Sequence, residues 1–214
     1  MASSSREHGW NPGRPRERRE IRKVSAEDPT QELWLVRHGE TEWSRDHRHT
    51  SHTDLPLTEN GIDVAGKLRE RLSGTNFDLV LTSPRQRARR TAELAGFGDA
   101  ISDDDLVEWG YGDYEGVTTA EIRKDVPGWT VWTHGSPGGE TAAQVTQRLD
   151  QVVTRIREHG GRTLVFGHGH ALRALASRWI EQPVDEGRFF RLDTSTICTL
   201  GYERETPVIL RWNY

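Results

Sequence analysis

Residues 33–44 read LWLVRHGETEWS. Leu33 to Val36 form an apolar run of strand length, and it stops abruptly at Arg37, His38 and Gly39. A second run behaves the same way. RTLVFG, residues 162–167, leads into His168-Gly169-His170, after which Leu172, Leu175 and Trp179 recur at helical spacing. A third strand, DLVLT at 78–82, ends at Ser83 and opens the strongly cationic helical stretch SPRQRARRTAELAG. Strand and helix in alternation predict an α/β domain with a largely parallel sheet covered on both faces.

The other segments fit this frame. Ile62, Ala65, Leu68 and Leu72 suggest a helix, with Thr58 placed to cap its start and Gly74 near its end. Val145, Leu149, Val152, Val153 and Ile156 make the clearest amphipathic stripe in the chain. From about Phe189 onward, ICTLGY and PVILRW alternate as two or three strands closing the sheet.

Composition excludes several classes. The 214 residues are 33% hydrophobic and 29% charged, with a formal net charge of -4. One domain with its own core is the natural reading, with no general attraction to nucleic acid or an anionic membrane. No stretch reaches the roughly 18 apolar residues of a membrane span. The single cysteine, Cys198, cannot form an internal disulfide. A soluble cytoplasmic protein is expected. Residues 1–30 stand apart: up to Lys23 they carry seven basic residues against three acidic ones, with Pro12, Gly13 and Pro15. They read as a disordered basic tail preceding a domain at 31–214.

In an open α/β sheet, ligands bind beyond the carboxyl ends of the strands, so His38 and His168 are expected to face one crevice. Arg87 lies one turn into the cationic helix, near the same edge. Two arginines and two histidines at strand ends suit a compact anion, above all a phosphoryl group.

These residues sit in RHGETEW (37–43), TDLPLTENG (53–61), TSPRQRARRTA (82–92), EWGYGDYEG (108–116) and GHGHALR (167–173). Together and in this order they resemble the histidine phosphatase superfamily, with its phosphoglycerate mutase-like fold. Within it the chain is most similar to the acid phosphatase and sedoheptulose-1,7-bisphosphatase branch. The resemblance implies a three-layer sandwich, a mostly parallel mixed sheet with helices on both faces, and a covalent phosphohistidine. It further implies His38 as nucleophile, Arg37, Arg87 and His168 as phosphate clamp, and Glu108 as proton donor. No metal and no cofactor is implied.

Elementary chemistry supports each role. His38 attacks only as the neutral imidazole, which a neighbouring Arg37 favours. Arg37, Arg87 and a charged His168 would stabilise the equatorial oxygens of the transition state. Glu108 would start protonated in a pocket closed by Trp109 and Tyr111, and activity should then fall above neutral pH.

Ser44, Thr50, Ser51, His52, Gly169 and His170 are the expected substrate contacts. Ser51 and His52 depart from the family pattern, which has glycine at the first position and arginine or an aliphatic residue at the second. His47, His49 and His52 at these spacings could share a divalent ion, but the phosphohistidine chemistry needs none. A substrate rim is the preferred reading. Arg85, Arg89 and Arg90 read as a solvated helix face, Glu115 as serving the turn at Gly116, and Glu140 as complementing a helix dipole.

Three functions compete. Hydrolysis of small phosphomonoesters, sugar phosphates or the wider range of an acid phosphatase, comes first. A cofactor-dependent phosphoglycerate mutase is the alternative, disfavoured because the interval from 108 to 168 leaves little chain to cover the site. A catalytically silent binding module is the third. The expected partner is a small phosphorylated metabolite, with no specific nucleic acid and no membrane, and a homodimer is left open.

Overall fold

The computed structural model describes residues 31–214, and the basic tail at 1–30 lies outside the described residues. Six strands are formed: β1 (Glu32–Arg37), β2 (Leu79–Thr82), β3 (Ile101–Ser102), β4 (Arg162–Gly167), β5 (Ile197–Glu203) and β6 (Thr206–Arg211). Eight α-helices join them: α1 (Glu42–Arg45), α2 (Glu59–Gly66), α3 (Leu68–Leu72), α4 (Gln86–Leu94), α5 (Thr119–Asp125), α6 (Val131–His134), α7 (Ala142–His159) and α8 (Gly169–Trp179). The sheet order is β3-β2-β4-β1-β5-β6. β1, β2, β3 and β4 pair in parallel, whereas β5 and β6 are antiparallel additions at one side. This is the mixed, mostly parallel sheet expected.

Strand alternation divides the core in two. Leu33, Leu35 and Val165 pack on one face against Val145, Leu149, Val152 and Ile156 of α7 and Leu172, Leu175 and Trp179 of α8. Val36, Leu164 and Phe166 point the other way, toward Ala65, Leu68 and Leu72 of α2 and α3 and Ala92 of α4. The α7 stripe is fully buried apart from Val153 at 6% exposure, and each such aliphatic side chain contributes about 1.5–3 kcal/mol of transfer free energy. A capping box of Thr141 and Gln144 starts α7, supplying partners for two otherwise orphaned N–H groups. No helix among the described residues is long and apolar enough to cross a membrane.

Two sequence expectations need correction. The helix anticipated from Ile62 to Leu72 is two helices meeting at Lys67, and Ile62 is exposed. Gly61, not Ile62, faces inward, because this turn abuts the loop after β1: a Cβ on Gly61 would stand 2.2 Å from the Glu40 carbonyl oxygen. The tail at Phe189 is the end of a 3-10 helix, Val184–Phe189, and the strands begin only at Ile197.

The fold also explains the crevice. β1 and β4 are neighbours, with Arg37 opposite Gly167. The chain leaving β1 runs to α2 and α3 on one face, and the chain leaving β4 runs to α8 on the other. Connections that diverge from adjacent parallel strands open a cleft at their carboxyl ends.

Candidate active site

His38 and His168 are the first residues beyond β1 and β4. Their rings are 5.2 Å apart between centroids, near edge-to-face. The His38 backbone N–H is fixed to the Gly167 carbonyl at 2.9 Å, and Ser83 at the end of β2 bonds Phe166 in the same way. Three strand ends are thereby locked into one floor.

Each floor side chain has a determined hydrogen-bonding state. His38 Nδ1 lies 2.7 Å from the Gly39 carbonyl, an acceptor, so Nδ1 carries the proton. Nε2 is left with its lone pair and has no hydrogen bond among the described residues. Burial, with the charges of Arg87 and Arg37, holds the His38 pKa well below the ordinary imidazole value, so the ring is neutral at pH 7. That is the state in which it can attack.

Arg87 is fully buried. Its Nε donates to His168 Nδ1 at 3.2 Å, and its terminal nitrogens donate to the carbonyls of Thr53, Thr50 and Ser51. His168 Nδ1 is therefore an acceptor, and its Nε2–H donates to Ser83 Oγ at 2.7 Å. Burial and the charges of Arg87, His38 and Arg37 keep this pKa, too, well below the usual range. The charged His168 expected from sequence is thus a neutral ring whose proton sits on Nε2. Buried next to Arg87, a second cation would cost too much.

Arg37 donates to the Leu192 carbonyl at 2.6 Å, while its Nε is buried without a partner. Buried polar groups are nearly always hydrogen-bonded, so this donor marks a place for an anion. Gly169 lies directly against Arg37: a Cβ there would stand 3.4 Å from the guanidinium, at the edge of ordinary contact. A second close approach fixes the nucleophile loop, where a Cβ on Gly39 would stand 2.7 Å from the Gly61 carbonyl oxygen.

Glu108 is buried behind Trp109 and Tyr111, the closure anticipated. Its Oε1 accepts from the backbone N–H of Trp109 and Ala171, and its Oε2 from that of His170. Two donors saturate Oε1, so Oε2 is the oxygen able to exchange a proton with a ligand.

The expected rim residues are dispersed. Ser44 Oγ completes a capping box with Thr41 on α1, and Thr50 Oγ1 donates to the Arg48 carbonyl. Ser51 is buried, its hydroxyl 2.5 Å from Glu115. His170 Nδ1 and the Tyr111 hydroxyl are hydrogen-bonded at 2.6 Å. His49 packs on Tyr111 and Trp129 with Nε2 beside Thr119 Oγ1, and burial lowers its pKa to about 4. His47 is exposed, and His52 meets Arg85. The three loop imidazoles face separate surroundings. No group of three His, Cys, Asp or Glu among the described residues could hold a metal.

Several supporting roles escaped the sequence reading. Glu115 accepts from Ser51 N, Ser51 Oγ and Thr53 N, so it grips the 50–53 loop from the side opposite Arg87. Glu140, ion-paired with Arg148 at 2.8 Å, accepts from Gly110 N. Arg148 in turn donates to the carbonyls of Asp105 and Val107. This pair brackets the Glu108 backbone on both sides, a role unlike the dipole contact expected. Thr91, one turn beyond Arg87, accepts from Gly39 N. The i, i+4 spacing of Arg87 and Thr91 was a usable signal for it.

With this floor described, the family follows from comparison: the model of the histidine phosphatase superfamily (branch 1) matches residues 33–214. The chain belongs to this superfamily. It is 44% identical over 176 residues to an acid phosphatase of Mycobacterium tuberculosis, covering 80% of this chain and 86% of that protein. It is 40% identical over 179 residues to sedoheptulose 1,7-bisphosphatase of Saccharomyces cerevisiae, covering 68% and 66%. Among solved structures, an open-reading-frame product of M. tuberculosis superposes with a TM-score of 0.83 at 40% identity, covering 86% of this chain and 97% of that one. In this histidine phosphatase, Glu108 is close enough to Arg37 and Arg87 of the floor for its charge to act on both.

Proposed function

We propose that this histidine phosphatase hydrolyses small phosphomonoesters, sugar phosphates among them, through a phosphohistidine on His38. One observation carries the reading. His38 Nδ1 is tied to the Gly39 carbonyl, so Nε2 of the neutral ring keeps its lone pair, and Arg37, the preceding residue, keeps an unpartnered Nε–H.

In the first step Nε2 bonds to phosphorus as the ester P–O bond breaks, and Glu108 Oε2 delivers a proton to the departing oxygen. Arg37 supplies charge where the transferring group develops it, and the His168–Ser83 pair holds the adjoining floor in place. Arg87 acts chiefly by fixing His168 and the 50–53 loop. In the second step Glu108 takes a proton from water, the water oxygen bonds to phosphorus, and the P–N bond breaks to restore His38 and release inorganic phosphate. A cytoplasmic setting is part of this reading, supported by a lone thiol, Cys198, that is buried and free.

The test is rapid quenching after mixing with substrate labelled in its phosphate. An acid-labile, base-stable label on the wild-type protein that is absent from His38→Ala is the expected result. Full turnover by His38→Ala would overturn the nucleophile assignment, and loss of activity with EDTA would overturn the metal-free scheme.

A further inference from the structure

His38 can attack through Nε2 only while its proton stays on Nδ1, and the acceptor that keeps it there is the carbonyl of the next residue, Gly39, at 2.7 Å. A glycine carbonyl is a poor anchor by itself, because without a Cβ the backbone on either side turns freely. The peptide entering His38 is tied to β4 through its N–H and the Gly167 carbonyl at 2.9 Å. The peptide leaving it lies past the end of β1, and its carbonyl, that of His38, meets Ser195 N only at 3.4 Å.

The N–H of that second peptide donates to Thr91 Oγ1 at 2.9 Å. A backbone N–H can only donate, so the hydroxyl accepts, and its own proton goes to the Arg87 carbonyl at 2.7 Å. Thr91 is fully buried, and both of its hydrogen-bonding roles are taken. Its place in α4 gives the contact a meaning beyond local packing. Arg87, one turn earlier on the same helix, holds Nδ1 of His168 at 3.2 Å. One helix thus reaches both rings of the floor, His168 through the Arg87 guanidinium and His38 through Thr91 and the Gly39 peptide. Remove the hydroxyl and Gly39 N–H loses its partner in a buried place, so the peptide is driven to turn in search of another. The Gly39 carbonyl then leaves Nδ1, and the imidazole proton is free to settle on Nε2, where it blocks attack.

We infer that Thr91 is a positioning residue for the nucleophile: by holding the His38–Gly39 peptide to α4, it keeps the His38 proton on Nδ1 and the Nε2 lone pair free. The inference rests on the phosphohistidine reading and adds to it the group that keeps the nucleophile in its reactive tautomer.

Steady-state kinetics of wild type, Thr91→Val and Thr91→Ser on p-nitrophenyl phosphate test it, with thermal melts to verify folding. Nitrogen NMR of histidine-labelled protein reads the ring tautomers, and His38→Ala identifies the His38 signals. Thr91→Val keeps the shape without the hydroxyl and should lower kcat about ten- to hundredfold, the size of a lost buried hydrogen bond. Its KM should stay within about threefold of wild type, since neither Arg37 nor the Arg87 guanidinium loses a contact. The His38 signal should change from the Nδ1–H form to a mixture with Nε2–H, and Thr91→Ser should restore both kcat and tautomer. If Thr91→Val does not melt cooperatively, Thr91→Ala, which removes the hydroxyl without filling its space, carries the same readouts. A kcat equal to wild type without the hydroxyl, or an equal loss in Thr91→Ser, would overturn the inference. So would a loss confined to KM, or an unchanged His38 tautomer. Wild type that hydrolyses no ester would overturn the phosphatase reading, and the tautomer comparison would then decide the positioning role alone.

Discussion

Arg87 and Arg85 stand two residues apart at the start of α4, and they are used in contrary ways. Arg87 is fully buried and holds one ring nitrogen and three carbonyls, so it cannot move without releasing His168 and the 50–53 loop. Among the described residues the Arg85 guanidinium bonds only His52, at the outer limit of a hydrogen bond. The same contrast separates floor from rim. The floor is cross-linked to several chain segments at once, whereas His47, His52 and Arg85 answer to few neighbours. Rigidity is needed where reacting atoms must stay within fractions of an ångström, and freedom is tolerable where substrates differ.

The contrast can be broken most forcefully at His38. His38→Ala should lower kcat by at least about a thousandfold, because a positioned nucleophile has no substitute in the cleft. Phosphate release under saturating substrate reads this directly. Next comes the bracket on Glu108. Arg148→Ala frees the Glu140 carboxylate and two carbonyls and should reduce kcat up to about a hundredfold. KM should change little, since neither residue touches the floor; an equal rise in KM would instead mean that the cleft had collapsed.

Acid should dismantle the floor before the rest. Burial and neighbouring positive charge keep His38, His168 and His170 below their unfolded pKa near 6.5. The unfolded chain then binds more protons than the folded one, so stability falls as pH drops below about 6.5. Burial raises the pKa of Glu115, but the hydrogen bonds from Ser51 and Thr53 outweigh it and leave the net value lowered. Its contribution is present above the ordinary carboxylate range and is lost as pH falls through the depressed value. Melting temperature at constant ionic strength should therefore decline from pH 7 to pH 4, while kcat/KM shows no acid limb near 6.5 attributable to His38.

Smaller effects should mark the rim's edge. Glu115→Gln weakens three hydrogen bonds to the 50–53 loop, a cost of about 1–3 kcal/mol measurable in urea. His47→Ala should cost no more than about 1 kcal/mol and leave kcat/KM unchanged, since its exposed side chain has no hydrogen-bond partner among the described residues and its φ of 57° suits alanine poorly.

The fold could be read from sequence where periodicity met burial on both sides, as in β1, β4 and α7. It failed at Ile62, because the inward position there was decided by backbone contact between Gly61 and Glu40, which leaves no hydrophobic trace. The proposed catalytic positions stand out in the sequence because phosphate chemistry favours particular residue types at strand ends. Their supports were not. Glu115 and Glu140 resemble any surface acid until the loops they hold, 62 and 30 residues away, are seen beside them. His168 was given the wrong charge because its proton depends on Arg87, 81 residues earlier.

The place of β4 has one more consequence. It inserts between β1 and β2, which never touch each other, so during synthesis both earlier strands keep an open hydrogen-bonding edge until residues 162–167 leave the ribosome. The parallel pairing that completes the sheet spans some of the longest sequence separations in the chain, a slow route to closure. A chain stopped short of β4 would expose two apolar edges and be prone to aggregate. His38 and His168 thus come together in the same late event that makes the protein safe from itself.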